Sequence, residues 1–229
     1  MERQMPSPEL LSRSPLFSHL SQNDLRQLCD LAVTHRYEKG EWITHYGDLW
    51  PHLFIIESGR VTALKQSAEG RTLIVVTLSA ADVFWGLSFF EEGIPMIVSL
   101  QADAPSVLYS WSREALMPHL LRHGRTTWEL ARLMLQRMLR ASDIVEELAF
   151  QPITGRLARL LLDSFGDAVD GYVSRHLTLE EMAARIGTTR EMVCRQLYRF
   201  MDQGAIEINR TEFRITDPAA LEDMAGREK

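Results

Sequence analysis

The segment LTLEEMAARIGTTREMVCRQLYRF, Leu177 to Phe200, decides how this chain is read. Leu179, Met182, Ala183 and Ile186 recur at i, i+3, i+4 and i+7, which is one face of a helix. Thr178 precedes them as a predicted N-cap. Glu180 and Glu181 fill the first turn, where a carboxylate suits the helix dipole. Gly187 supplies the permissive backbone of a sharp turn. Thr188 and Thr189 can cap a second helix, whose apolar face is Val193, Leu197 and Phe200. The small Ala183 lets the two helices cross closely, as a helix-turn-helix requires.

The face left over carries Arg190, Glu191 and Arg195 near the start of the second helix. Arginine can bond a guanine edge at two points, and a carboxylate can accept from cytosine N4. The first residues of a recognition helix are those that reach base edges. Between residues 185 and 199, Arg185, Arg190, Arg195 and Arg199 stand against Glu191 alone, on a chain of net charge -6. A solvated helix face with an Arg/Glu pair would look similar, and only the surrounding chain separates the two readings.

The whole sequence of 229 residues has room for two domains with cores of their own. Its 45% hydrophobic and 24% charged residues fit an ordinary globular protein. No apolar run approaches the roughly 20 residues of a membrane span, and the N-terminus shows no secretory pattern. A cytoplasmic protein that makes no membrane contact is expected. Cys29 and Cys194 lie far apart and form no metal or redox motif. The acidic balance argues against indiscriminate nucleic-acid binding but allows one basic patch.

Taken in order, residues 1–15 hold Pro6, Pro8 and Pro15 and read as a loose N-terminal arm. Residues 16–111 form the next domain, opened by one or two short helices with Ser21 as a cap. From about Val33, short apolar runs (LFII, VTAL, TLIVVTL, IVSLQA, SVLYS) alternate with glycine-bearing turns. That texture predicts an antiparallel β-roll. Residues 112–150 turn helical: Ser112 caps a short helix, and a long one follows from about Arg125 to Leu148. Ala131, Met134, Met138, Ala141, Val145 and Leu148 alternate steps of three and four, an apolar seam suited to a second copy of the chain. The other open reading of that seam is a buried helix in a monomer. Pro152 marks a hinge, and residues 151–229 form the last domain. There AIEI and EFRIT, joined at Asn209 and Arg210, read as a hairpin wing after the helix-turn-helix. The fold class is thus α+β: β-roll, long dimerisation helix, winged helix-turn-helix.

That order, together with LAFQPITGRLARLLL (148–162), TTREMVCR (188–195) and FFEEG (89–93), resembles the cAMP receptor protein/FNR (Crp/Fnr) family of bacterial transcription regulators. The resemblance spans Leu16 to Thr216. It implies a homodimer on double-stranded DNA, with RNA polymerase as a further partner if the protein activates. The Arg190, Glu191, Arg195 pattern is similar to the reading set of the cAMP-receptor-like branch, which implies a palindromic site with TGTGA-like halves. Thr178, Thr188, Thr189 and Arg199 are candidate phosphate contacts, and Asn209 and Arg210 of the wing lie near the DNA backbone.

The β-roll departs from the family pattern. Members that bind cAMP carry Gly-Glu-Leu near the phosphate and Arg-Ser shortly after. Here Trp85 and Gly86 fall where that Gly-Glu would be, and Met96 and Ile97 replace the Arg-Ser. The arginine fork that neutralises a cyclic phosphate is missing. On the long helix, Ser142 matches a nucleobase-contacting position, with Ala141 where a hydroxyl is expected. A pocket lined by Trp85, Gly86, Met96, Ile97 and Ser142 is therefore not expected to take cAMP. It could hold an apolar effector, although filling by its own side chains is the favoured expectation.

Other sensors are less well supported. Two distant cysteines cannot supply an iron–sulfur cluster. A haem that binds a gas would need an axial ligand, and His45 and His52 qualify by location alone, so no cofactor and no metal site is expected. Cys194, beside Arg195, could make DNA binding redox-sensitive. A cupin-like metalloenzyme is the remote alternative from another class, but no His-x-His motif occurs and no enzyme activity is expected.

Overall fold

In the computed structural model, residues 5–166, 171–209 and 211–226 are described. The chain packs as two compact units, residues 1–65 with 75–140 and residues 66–74 with 141–229.

The first unit opens with α1 (Pro8–Arg13) and α2 (Gln22–Leu31). The N-terminal arm expected to be loose is thus helical from Pro8. Ser7 accepts a hydrogen bond from the Leu10 N–H at 3.2 Å. Pro8 sits at the first helical position, where its missing N–H costs nothing. Leu10 and Leu11 are buried and anchor the helix to the core.

Eight strands follow: β1 (Val33–Tyr37), β2 (Trp42–Thr44), β3 (His52–Ser58), β4 (Val61–Gln66), β5 (Thr72–Leu78), β6 (Val83–Trp85), β7 (Ser99–Ala102) and β8 (Ser106–Ser112). They form two four-stranded sheets in the orders β1-β8-β3-β6 and β2-β7-β4-β5, and the pairs β1–β8, β2–β7, β3–β6, β3–β8 and β4–β7 are antiparallel. The unbroken apolar run in β3 reflects burial on both faces. Leu53 and Ile55 join Tyr109, Trp111 and the helices in one cluster, while Phe54 and Ile56 face the roll interior with Leu108. This is the two-residue period of a strand covered on each side. Trp111 donates from Nε1 to the Leu28 carbonyl at 2.8 Å, which locks α2 onto the sheet.

Helix α3 (Arg113–Arg122) is capped by Ser112, and α4 runs from Gly124 to Phe150. Gly124 therefore opens the long helix. Of the 27 residues of α4, only Thr126 and Leu130 are buried.

The second unit contains α5 (Ile153–Phe165), β9 (Val173–Ser174), α6 (Leu179–Ile186), α7 (Arg190–Asp202), β10 (Ile206–Ile208), β11 (Glu212–Ile215) and α8 (Pro218–Met224). Its core gathers Leu157 and Leu161 of α5, Met182 and Ile186 of α6, Val193, Leu197 and Phe200 of α7, and Phe213 of β11. The wing is three-stranded, in the order β10-β11-β9. Pro152 caps α5 in an extended conformation. Below it, Arg156 donates from Nη1 to the carbonyls of Glu147, Leu148 and Gln151 at 3.2, 3.4 and 3.1 Å.

Candidate nucleic-acid interface

The helix-turn-helix forms for the local reasons visible in the sequence. Thr178 Oγ1 accepts from the Glu181 N–H at 3.2 Å, and Glu181 Oε2 accepts from the Thr178 N–H at 2.7 Å. This reciprocal capping box fixes the start of α6. Gly187 ends that helix in the left-handed region, φ 65° and ψ 45°. A Cβ built on it would lie 2.6 Å from Leu148 Cδ2, so both conformation and space require glycine. Thr189 Oγ1 accepts from the Met192 N–H at 3.4 Å and starts α7.

With Val193, Leu197 and Phe200 buried, the helix period turns Arg190, Glu191, Arg195 and Arg199 to solvent. Arg190, Glu191, Arg195 and Cys194 line a single shallow groove together with Tyr198. Arg190 reaches back to α6, with Nη1 3.3 Å from Glu180 Oε1. Hydrogen bonds at the helix start, to its own backbone and to Thr189, followed by the nearby Arg190 charge, hold the Glu191 carboxyl below its usual range. It is an acceptor only, as pairing with a cytosine amine demands.

The remaining predicted DNA contacts separate. Thr178 is exposed. Thr188 is buried and its N–H closes the turn onto the Ala183 carbonyl, so it belongs to the turn and not to the outer face. Asn209 is exposed, but its Oδ1 accepts from the Thr211 and Glu212 N–H groups at 2.9 and 2.8 Å, organising the wing turn. Arg210 lies outside the described residues. Arg175, not singled out from the sequence, lines the groove between α7 and the wing beside Cys194 and Asn209.

The first unit holds the second predicted site. A cavity of about 190 Å³ is bordered by Trp85, Met96 and Ile97, as expected, with Val76, Leu87 and Arg137 among its other walls. Buried Met96 and Phe84 occupy part of the space without closing it, contrary to the favoured expectation of a filled pocket. Gly86 does not line the cavity. A Cβ there would meet the Trp50 carbonyl at 1.7 Å, and its N–H is bonded to the His52 carbonyl at 2.9 Å; its glycine answers to strand packing. Ser142 is exposed and does not line the cavity either. Five residues past Arg137, it points about 140° away around the helix.

Arg137 was missed by sequence reading. The available signal was a lone cation on the stripe Leu130, Leu133, Arg137, whose leucines belong to the β-roll core. His45 is exposed and His52 half-buried. Among the described residues no group of three or more His, Cys, Asp or Glu could hold a metal ion. No described helix is long and apolar enough to cross a membrane.

Two family models match the chain: a cyclic nucleotide-binding domain over residues 34–123 and a Crp-like helix-turn-helix domain over residues 155–224. The chain is 30% identical to the cAMP-activated global transcriptional regulator Vfr of Pseudomonas aeruginosa, over 86% of this chain and 94% of that protein. It is 27% identical to a CRP-like cAMP-activated global transcriptional regulator of Mycobacterium tuberculosis, over 93% and 97% of the two chains. Among solved structures, the c-di-GMP responsive global regulator CLP of Xanthomonas campestris superposes with a TM-score of 0.73 at 19% identity, covering 85% of this chain and 99% of that one.

Proposed function

Because the chain belongs to the Crp/Fnr family of DNA-binding transcription regulators, we propose that it works as a homodimer on a two-fold symmetric, TGTGA-like site without requiring cAMP. The observation that carries this reading is the joint exposure of Arg190, Glu191 and Arg195 on the first turns of α7. Two arginines and an ionised carboxylate supply donors for guanine and an acceptor for cytosine within one half-site. Thr178 and Arg199 are candidates for the phosphates alongside, which set register while the base contacts specify.

Dimerisation is supported by α4. Met138 and Val145 of the seam are 62% and 66% exposed, and Ala131, Ala141 and Leu148 are also open to solvent. A regularly spaced apolar stripe left uncovered in one chain suits a second copy. Two copies would present two recognition helices to the halves of a palindrome. RNA polymerase would be a partner if the bound dimer activates.

Independence from cAMP is supported by the cavity walls. Vfr and the Mycobacterium protein are named as cAMP-activated, but here every wall of the cavity apart from Arg137 is an apolar side chain. Ribose hydroxyls and a purine edge buried against that hydrocarbon would be left unsatisfied. A second reading, a regulator gated by an apolar effector, is favoured by the open cavity itself.

The test is the affinity of the ligand-free protein for a TGTGA-type palindrome and for a scrambled duplex, with and without cAMP, at one salt concentration. Tight, selective binding unmoved by cAMP is expected. Weak binding rescued by cAMP would overturn the cAMP-independent reading.

A further inference from the structure

The cavity of the first unit combines two properties, an almost wholly hydrocarbon lining and a single cationic wall. Its walls are hydrocarbon almost throughout, with Val76, Trp85, Leu87, Met96, Ile97 and Val98 among them, and its volume is about 190 Å³. That is slightly more than an apolar cavity that takes up one benzene. Yet one wall is the guanidinium-bearing side chain of Arg137. Arg137 is half-buried, and among the described residues it makes no hydrogen bond or ion pair.

An arginine in that position is costly for the protein alone. Desolvation works against its charge, and the carboxylate that favours it, Asp82, stands off without an ion-pair contact. Asp82 is instead engaged with its own turn, Oδ2 accepting from the Ser79 N–H at 2.8 Å. A half-buried, planar, five-donor cation without an acceptor is an incomplete arrangement. An oxyanion supplied from outside would complete it, and a carboxylate matches the fork in bidentate geometry. The rest of the molecule bearing that anion must be apolar, because nothing else around the cavity is built to hold ribose hydroxyls or a purine edge.

We propose that this cavity is the binding site of a small apolar monocarboxylate, a single ring or short alkyl chain. Its hydrocarbon lies against Met96, Ile97 and Val98, and its carboxylate pairs with Arg137. The assignment rests on the cAMP-independent regulator reading and gives it a ligand class. Arg137 belongs to α4, so the anion would grip the same helix whose outer face carries the candidate dimer seam. Occupancy then adds an ion pair between the roll cavity and that helix. Ile97, 52% exposed, stands at the edge of the cavity, where an entering ligand would pass it.

The test is titration of the full-length protein with phenylacetate and hexanoate, with their uncharged counterparts phenylethanol and hexanol, and with cAMP. Heat and Trp85-sensitive fluorescence would both be followed. At least one acid should bind saturably, about tenfold or more tighter than its alcohol, since a charge-assisted hydrogen bond is worth that factor. Arg137→Ala should remove the acid's advantage while leaving alcohol binding within a few-fold, and Arg137→Lys should restore part of it. Val76→Trp, which fills the cavity, should abolish binding of both. Equal affinity for acid and alcohol, acid binding indifferent to Arg137→Ala, no saturable acid binding, or cAMP outcompeting the acids would each overturn the assignment. Operator binding measured on the same samples is a separate readout. Its presence without acid binding sinks this inference alone, and its absence under every condition sinks the regulator reading.

Discussion

Arg190 Nη1 lies 3.3 Å from Glu180 Oε1, so a residue expected to read a base is held by a carboxylate of the preceding helix. Both side chains are more than half exposed, and such a pair is weak, about 0.2–1 kcal/mol. It must open, or share Arg190, when DNA arrives. Glu180→Gln is therefore expected to tighten operator binding by roughly two- to fivefold at low salt. The gain should shrink as salt screens the pair. An unchanged or weaker affinity in fluorescence anisotropy would show that Glu180 does not restrain Arg190.

Removal of Arg190 itself should act on selectivity. Arg190→Ala is expected to cost about 1–3 kcal/mol on the TGTGA-type site and to relax preference at one base pair per half-site. An equal loss on scrambled DNA would assign the side chain to the phosphates instead.

The exposed stripe of α4 leads to a change of assembly state. Glutamate introduced at Met138 or Val145 would place a charge where a second copy must pack. Met138→Glu and Val145→Glu should each shift sedimentation toward monomer and weaken binding to the palindrome far more than to a half-site. A monomeric parent protein would refute the seam.

Gly187 supports a stability experiment. Its left-handed backbone costs an L-residue roughly 1–2 kcal/mol, and an added Cβ would crowd Leu148 Cδ2 at 2.6 Å. Gly187→Ala should lower the stability of the second unit by at least that amount. Leu148→Ala in the same chain should return the part due to crowding, as a double-mutant cycle would show. Full additivity would leave backbone strain as the sole cause.

Acid should weaken the first unit. His35 is shifted below its usual pKa by burial and then by His52, and His52 by burial, with Glu114 opposing. His35 Nε2 also lies 2.8 Å from Ser110 Oγ between β1 and β8. A histidine whose folded pKa is depressed takes up fewer protons in the native state, so stability rises with pH. That contribution is complete above the unfolded value near 6.5 and is lost as pH falls from there through the lower folded values. The melting temperature should therefore fall between pH 7.5 and 5.5, with a smaller fall in His35→Gln. A flat profile in the parent would contradict the shift.

What was legible in the sequence followed from how local its cause was. Thr178, Gly187, Thr189 and the apolar faces of α6 and α7 act within a few residues, and the helix-turn-helix formed as read. Strands β3, β4, β5, β7 and β8 were marked by apolar runs. β1, whose sequence VTHRY has no fully buried residue, and the three-residue β2 and β6 gave no such run. Pro8 was read as a loop signal when it opens a helix, a distinction that depends on Ser7 and on burial of Leu10 and Leu11. Trp85, Met96 and Ile97, close together in sequence, all border the cavity. Arg137, 40 residues beyond Ile97 in sequence, enters it through tertiary packing alone, as does the approach of Trp50 that demands Gly86.

The three carbonyls held by Arg156 tie the end of α4 to α5 across the proline. Pro152 breaks the helix, but the guanidinium of α5 grips Glu147, Leu148 and Gln151 on the far side of that break, and Arg159 adds an ion pair to Glu147 at 3.6 Å. The positive groups sit at the negative end of the α4 dipole, where such contacts are favoured. A proline between two helices invites the picture of a swivel, and these contacts are what such a swivel would have to break. The final turns of α4, from residue 141 onward, belong to the same compact unit as the helix-turn-helix, so the proline lies inside that unit and not at its border.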